Sequence, residues 1–138
     1  MEFAKDIETL CKEHGLRLTG PRRVIMQVLE ESEDHPDVVE LHRRVSRINP
    51  AIALATVYRT VNLLQEKGLL EKHTFADGRA RFESADQKHH DHLIDVETGD
   101  VIEFYSAEIE RLQEEIAKAH GYAIVSHKLE IYVSRKKP

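Results

Sequence analysis

The spacing of apolar residues switches once along the chain, and this switch limits the possible folds more than any other feature. Before residue 70 the apolar positions recur every three or four residues, the period of a helix with one buried face. Phe3, Ile7 and Leu10 share such a face, and Gly15 is placed to stop the helix. Thr19 is a capping residue ahead of Pro21, with Val24, Ile25, Val28 and Leu29 turned inward. A third helix follows Pro36 and uses Val38, Leu41, His42 and Val45. A fourth is expected from about Ala55 to Lys67, with Val57, Val61 and Leu64 on its buried stripe and Gly68 after it.

Beyond residue 70 the period shortens to two. The segments LEKHTF (70–75) and ARFE (80–83) flank Asp77-Gly78, a dipeptide that favours a tight hairpin turn. Helices followed by a small hairpin form the winged helix-turn-helix pattern. The polar stretch ADQK (85–88) reads as a hinge. HLIDVE and DVIEF then enclose Thr98-Gly99 as a second hairpin. Ser106 can cap a helix with Ile109, Leu112 and Ile116 inside, and Gly121 ends it. Leu129, Ile131 and Val133 alternate with polar residues in a final strand, and Arg135-Lys136-Lys137-Pro138 is expected to fray. The expected fold is therefore α+β: a winged-helix DNA-binding domain over 1–84 and a small α/β dimerisation and metal-binding domain over 85–138. The second segment is short for an independent core. Its sheet edge and helix face are expected to pair with a second copy, and two-fold closure is the commonest way to do so.

Composition narrows the function. The net charge of −5 does not point to nucleic acid. Residues 1–84 hold 13 Lys and Arg against 14 Asp and Glu, so any DNA contact must come from a local basic patch. Residues 85–138 hold 7 against 11, and divalent cations would offset that acidic excess. Cys11 is the only cysteine, which excludes an intrachain disulfide and a cysteine-rich zinc site. No apolar run is long enough to span a bilayer. No secretory signal is visible at the N-terminus, so a reducing cytoplasm is the expected compartment.

The fourth helix carries Thr56, Tyr58, Arg59 and Asn62 on a polar face at its N-terminal end. An arginine there suits the major groove, where guanidinium bonds guanine through two hydrogen bonds. Thr56 and Tyr58 can meet thymine methyls or phosphates. Arg17, Arg22 and Arg23 lie near the start of the second helix and can meet the DNA backbone or a minor groove. Taken alone, such a helix is slightly better explained by a solvated charged face; the following hairpin turns the balance to DNA.

His89-His90-Asp91-His92 is the densest run of metal-ligand residue types in the chain. In an extended segment alternate side chains point to opposite faces, so His89 and Asp91 go one way and His90 and His92 the other. One tetrapeptide can thus seed two sites. His14, His42 and His73 are isolated in sequence and read as surface or packing residues, and His120 as a helix C-terminal residue.

These features sit in an order that resembles a known family. His35-Pro36, the run Ala55-Thr56-Val57-Tyr58-Arg59, Glu83, the run His89 to Ile94, and Val101-Ile102-Glu103-Phe104 together resemble the ferric uptake regulator (Fur) family over nearly the whole chain. The resemblance implies a dimeric winged-helix repressor whose affinity for operator DNA depends on a bound divalent metal. It implies a regulatory site between the domains on His35, Glu83, His90, His92 and Glu103. It implies a second site on His89, Asp91, Glu110 and His127. The base-contacting pair would be Tyr58 and Arg59, and the minor-groove residue Arg17. Many members also hold a structural zinc on two CxxC pairs. Asp95 and Thr98 stand where the first pair would be, and no cysteine lies near the C-terminus, so that third site is expected to be absent. Ala53 replaces the usual serine ahead of the recognition helix, and Glu103 stands where peroxide sensors carry aspartate.

Ligands restricted to nitrogen and oxygen suit Fe(II), Mn(II), Co(II) or Zn(II). The family assignment favours iron, then manganese, with zinc possible in vitro. An oxygenase built on two histidines and a carboxylate is the rival from another class. Three histidines and two carboxylates leave little room for a substrate, however, and a simple metal buffer does not explain the wing and recognition helix.

Overall fold

The computed structural model describes residue 3, residues 5–85 and residues 89–136. The chain divides into two compact units, residues 1–87 and 88–138.

The first unit opens with four helices. α1 (Ile7–Glu13) starts where the Asp6 carboxylate accepts the Thr9 amide at 2.8 Å. Phe3 lies ahead of this helix rather than on it, and is still buried. α2 (Gly20–Glu31) is capped by Thr19 with Pro21 in its first turn, and α3 (Val38–Ile48) by Asp37. Each cap satisfies a backbone N–H that the helix cannot. α4 (Leu54–Glu66) starts one residue earlier than its apolar stripe implies, behind Ala53, which makes no side-chain cap bond. Ala53→Ser should therefore stabilise the protein by about 0.5–2 kcal/mol in a denaturant melt. An unchanged midpoint would mean that the α4 amides are already satisfied.

The helices meet in a core of Ile25, Leu29, Leu41, Val45, Val57, Val61 and Leu64, to which Leu70 and Phe82 add the base of the hairpin. Full burial of each such aliphatic side chain contributes about 1.5–3 kcal/mol. β1 (Leu70–Thr74) and β2 (Ala80–Ser84) pair antiparallel, with Glu71 opposite Glu83 and His73 opposite Arg81. Gly78 takes φ +78°, the left-handed conformation that the turn requires. Arg81 turns toward the hairpin end, donating to Asp77 at 2.6 Å and lying over the Phe75 ring.

In the second unit β3 (Asp91–Asp95) is the centre of a three-stranded sheet ordered β4-β3-β5. β4 (Val101–Phe104) pairs with it antiparallel and β5 (Glu130–Val133) parallel. α5 (Ala107–Ala119) runs between β4 and β5 in sequence, capped by Ser106. Here the expectation of an internal apolar face fails. Leu112 is 48% and Ile116 63% exposed, Ile109 is half-buried, and no residue of α5 is buried. Ile94 is the one buried hydrophobic residue of this unit among the described residues. The second unit holds no further element among the described residues that could cover that apolar stripe of α5. Ile131 is likewise exposed on β5.

Of the hinge segment 85–88 only Ala85 is described, in a turn, and 86–88 lie outside the described residues, as do Lys137 and Pro138 of the tail. No helix among the described residues is long and apolar enough to cross a membrane.

Candidate metal centres and nucleic-acid interface

The start of β3 divides the histidine run. His89 and Asp91 project to one side, where α5 supplies Glu110 and the segment before β5 supplies His127. The four donors converge. His89 Nε2 lies 3.0 Å from His127 Nε2 and 3.1 Å from Glu110 Oε1. Asp91 Oδ1 lies 3.2 Å from His127 Nε2 and 3.4 Å from His89 Nε2, and Glu110 lies 3.3 Å from His127. Four donors at about 2.0–2.1 Å from one tetrahedral ion are separated by roughly 3.4 Å, so these distances are the edges of a ready coordination shell. Asp91 is fully buried, and its Oδ2 has no hydrogen-bond partner among the described residues. Two imidazole nitrogens and two carboxylates facing one point repel unless a cation or proton sits among them. The donor set fits a transition metal of nitrogen and oxygen preference.

On the other side of the run, His90 and His92 meet edge to face with ring centroids 4.8 Å apart, and His90 Nε2 lies 3.6 Å from Glu103 Oε1. The β3–β4 register places Glu103 directly opposite His92. These three expected ligands are thus assembled within the second unit.

The first unit assembles the other two. His35 sits between α2 and α3, in a segment fastened to α3 by Arg44. That guanidinium donates to both Asp34 oxygens, at 2.7 and 2.6 Å, and to Ser32 Oγ at 3.1 Å. It holds the Asp34 carboxyl below the usual carboxylate range, and Arg43, assisted by Arg44, draws the Glu40 carboxyl down to about 2. His35 Nε2 then lies 3.7 Å from Glu83 Oε2, with both side chains buried. His73, read as isolated, is not. It contacts the other oxygen of Glu83, and its Nε2 lies 3.8 Å from Glu71. The correction comes from the hairpin register, which brings residues ten apart onto one face. His14 and His42 bond backbone carbonyls, those of Leu10 and Ile52, as packing residues do. His120 is the C-cap of α5.

Cys11 is buried against Met26, Sγ to Sδ 3.7 Å, and burial pushes its thiol pKa up. It is far from being a thiolate ligand. Cys11→Ser should leave bound metal per chain unchanged while lowering thermal stability, because it buries a hydroxyl in an apolar site. Loss of an ion in that variant would contradict an all-nitrogen-and-oxygen ligand set.

On α4 the buried stripe of Val57, Val61 and Leu64 leaves Tyr58 and Arg59 exposed and Thr56 half-buried on the opposite face. Arg59 Nη2 reaches Thr56 Oγ1 at 3.5 Å. Arg17 is exposed, and its carbonyl accepts from Arg22 at 2.7 Å. Arg23 is paired with Glu8, so it is a poorer candidate for a phosphate contact than Arg17.

A profile of the Ferric uptake regulator family matches residues 13–132. The ferric uptake regulation protein of Rhizobium leguminosarum bv. viciae is 54% identical over 131 residues, covering 95% of this chain and 92% of its own. A solved zinc-bound manganese uptake regulator superposes with a TM-score of 0.87 at 52% identity, over 96% of this chain and all of that one. The ferric uptake regulator of Vibrio cholerae superposes with a TM-score of 0.85 at 37% identity, over 94% and 100%. That structure is described as revealing a rearrangement of its DNA-binding domains.

Proposed function

The chain belongs to the ferric uptake regulator family, and from that membership we propose a repressor that binds operator DNA as a homodimer when loaded with Fe(II) or Mn(II) and so controls genes of iron or manganese homeostasis. It is a metal-responsive transcriptional regulator and not an enzyme. The observation that carries metal binding is the convergence of His89, Asp91, Glu110 and His127, with the Asp91 carboxylate fully buried. Nitrogen and oxygen donors alone suit Fe(II) and Mn(II), and they also take Zn(II) in vitro.

The two ligand sets have different work. His89, Asp91, Glu110 and His127 all belong to the second unit, so an ion there stiffens that unit. His35 and Glu83 belong to the first unit and His90, His92 and Glu103 to the second. In this proposal the five share one regulatory ion, and ligation by both units fixes their relative orientation. The free protein then samples more orientations than the loaded one. The donor chemistry of the half-sets and the family's pattern support this reading.

Thr56, Tyr58 and Arg59 of α4 enter the major groove, and Arg17 contacts the backbone or minor groove. A second copy covers Leu112 and Ile116 on α5, since an exposed apolar stripe of this kind otherwise favours association. The free, buried cysteine suits a reducing cytoplasm. Metal-dependent retardation of duplex DNA, with oxygen consumption under Fe(II) as the control for enzymatic chemistry, tests the proposal. DNA binding that ignores metal would overturn it.

A further inference from the structure

The hairpin of the first unit carries an electrostatic arrangement that the regulatory ligand set does not explain. Glu71 and Glu83 are direct partners across the β1–β2 ladder, so their side chains project from the same face. Like charges so opposed destabilise a strand pair. The cost rises here because Glu83 is buried, at 2% exposure. Arg81, on the same face, is the nearest cross-strand candidate to neutralise them, but it is drawn to Asp77. His73 instead reaches between the two acids. Its Nε2 contacts Glu83 Oε1 and lies 3.8 Å from Glu71 Oε2, and one donor atom from each of the three residues lies within 4.8 Å of the others. One imidazole nitrogen and two carboxylate oxygens at these separations can close on a single ion with a small side-chain adjustment, since donors of one tetrahedral ion lie roughly 3.4 Å apart.

We propose that β1 and β2 hold a metal site of their own, in which Glu71, His73 and Glu83 bind one divalent transition-metal ion. All three ligands come from one hairpin, so filling this site requires nothing from the second unit. The donors select the same class of ions as the other sets: Zn(II), Co(II), Mn(II) or Fe(II). Glu71 is exposed, which leaves a path for the ion and room for a water as fourth ligand. Glu83 links this site to the regulatory one. Its Oε1 faces His73 and its Oε2 faces His35 at 3.7 Å, so one carboxylate can serve an ion on each side. Occupancy of the hairpin site then fixes the rotamer in which Glu83 is offered to His35.

The test uses Co(II) with the full-length protein carrying His35→Ala, His89→Ala, His90→Ala, His92→Ala and His127→Ala, which remove every imidazole from the other two sets. Equilibrium dialysis should still find about one Co(II) per chain. Adding His73→Gln should abolish that binding, and adding Glu71→Gln should weaken it at least tenfold, with circular dichroism checking the fold. Should the multiple variants fail to fold, NMR of the wild-type protein decides. Zn(II), which has no unpaired electrons to act at a distance, should in excess of the other sites shift the His73 Nε2 resonance and its adjoining ring protons, as direct ligation does. Retained Co(II) after His73→Gln, or unshifted His73 protons at saturation, would overturn the hairpin site. Either result leaves metal-dependent DNA binding by the wild type untouched, so the two proposals fail separately.

Discussion

His35→Ala should abolish the metal-dependent gain in DNA affinity, whereas His127→Ala should reduce it only in part. A coupling of about 1–3 kcal/mol between metal and DNA corresponds to a 5- to 150-fold change in affinity, and His35→Ala should bring that ratio close to one. The asymmetry follows from where the ligands lie. In the proposed site His35 and Glu83, which meet within the first unit, are that unit's contribution to the regulatory ion, and without His35 that ion would lose its grip on the first unit. His127 binds within the second unit, together with His89, Asp91 and Glu110. Losing it loosens that unit and its pairing but leaves all five regulatory ligands in place. Anisotropy of labelled duplex, with dimeric protein at saturating Mn(II), reads both variants. The reverse ranking would move the switch to the second site.

Arg59→Ala should cost about 1–3 kcal/mol of sequence-specific binding, which is roughly 5- to 150-fold, and leave metal stoichiometry unchanged. Arg59 is exposed on α4, opposite the buried Val57, Val61 and Leu64, so its removal opens no cavity. A bidentate contact to guanine is worth this much because its loss leaves base acceptors unmatched. The loss should be confined to the cognate sequence, since phosphate contacts by other basic residues persist. Wild-type affinity in Arg59→Ala would remove α4 from the role of reading helix.

Features set by a few neighbouring residues were legible in the sequence. The Thr19 and Ser106 caps, the Gly78 turn and the split of the histidine run into two faces each depend on local backbone geometry. α5 shows where local reasoning stops. Its apolar period is real, but the surface that would cover Leu112 and Ile116 is not in the second unit. α4 starts at Leu54, within one residue of the position that its apolar stripe implies, although Ala53 gives no side-chain cap. His73 was missed for another reason. Its partners are defined by strand register and not by proximity in sequence. The signal was present nonetheless: pairing centred on Asp77 sets Glu71 against Glu83 and places His73 on the same face.

The most direct test of metal-responsive repression selects duplexes from a randomised pool with the Mn(II)-loaded full-length protein. Affinity for the recovered sequence is then measured across a Mn(II) titration and again in excess chelator. Binding should tighten 5- to 150-fold with metal, reverse fully on chelation, and saturate at two chains per operator. Equal affinity in Mn(II) and in chelator, or a pool that yields no preferred sequence, would contradict it.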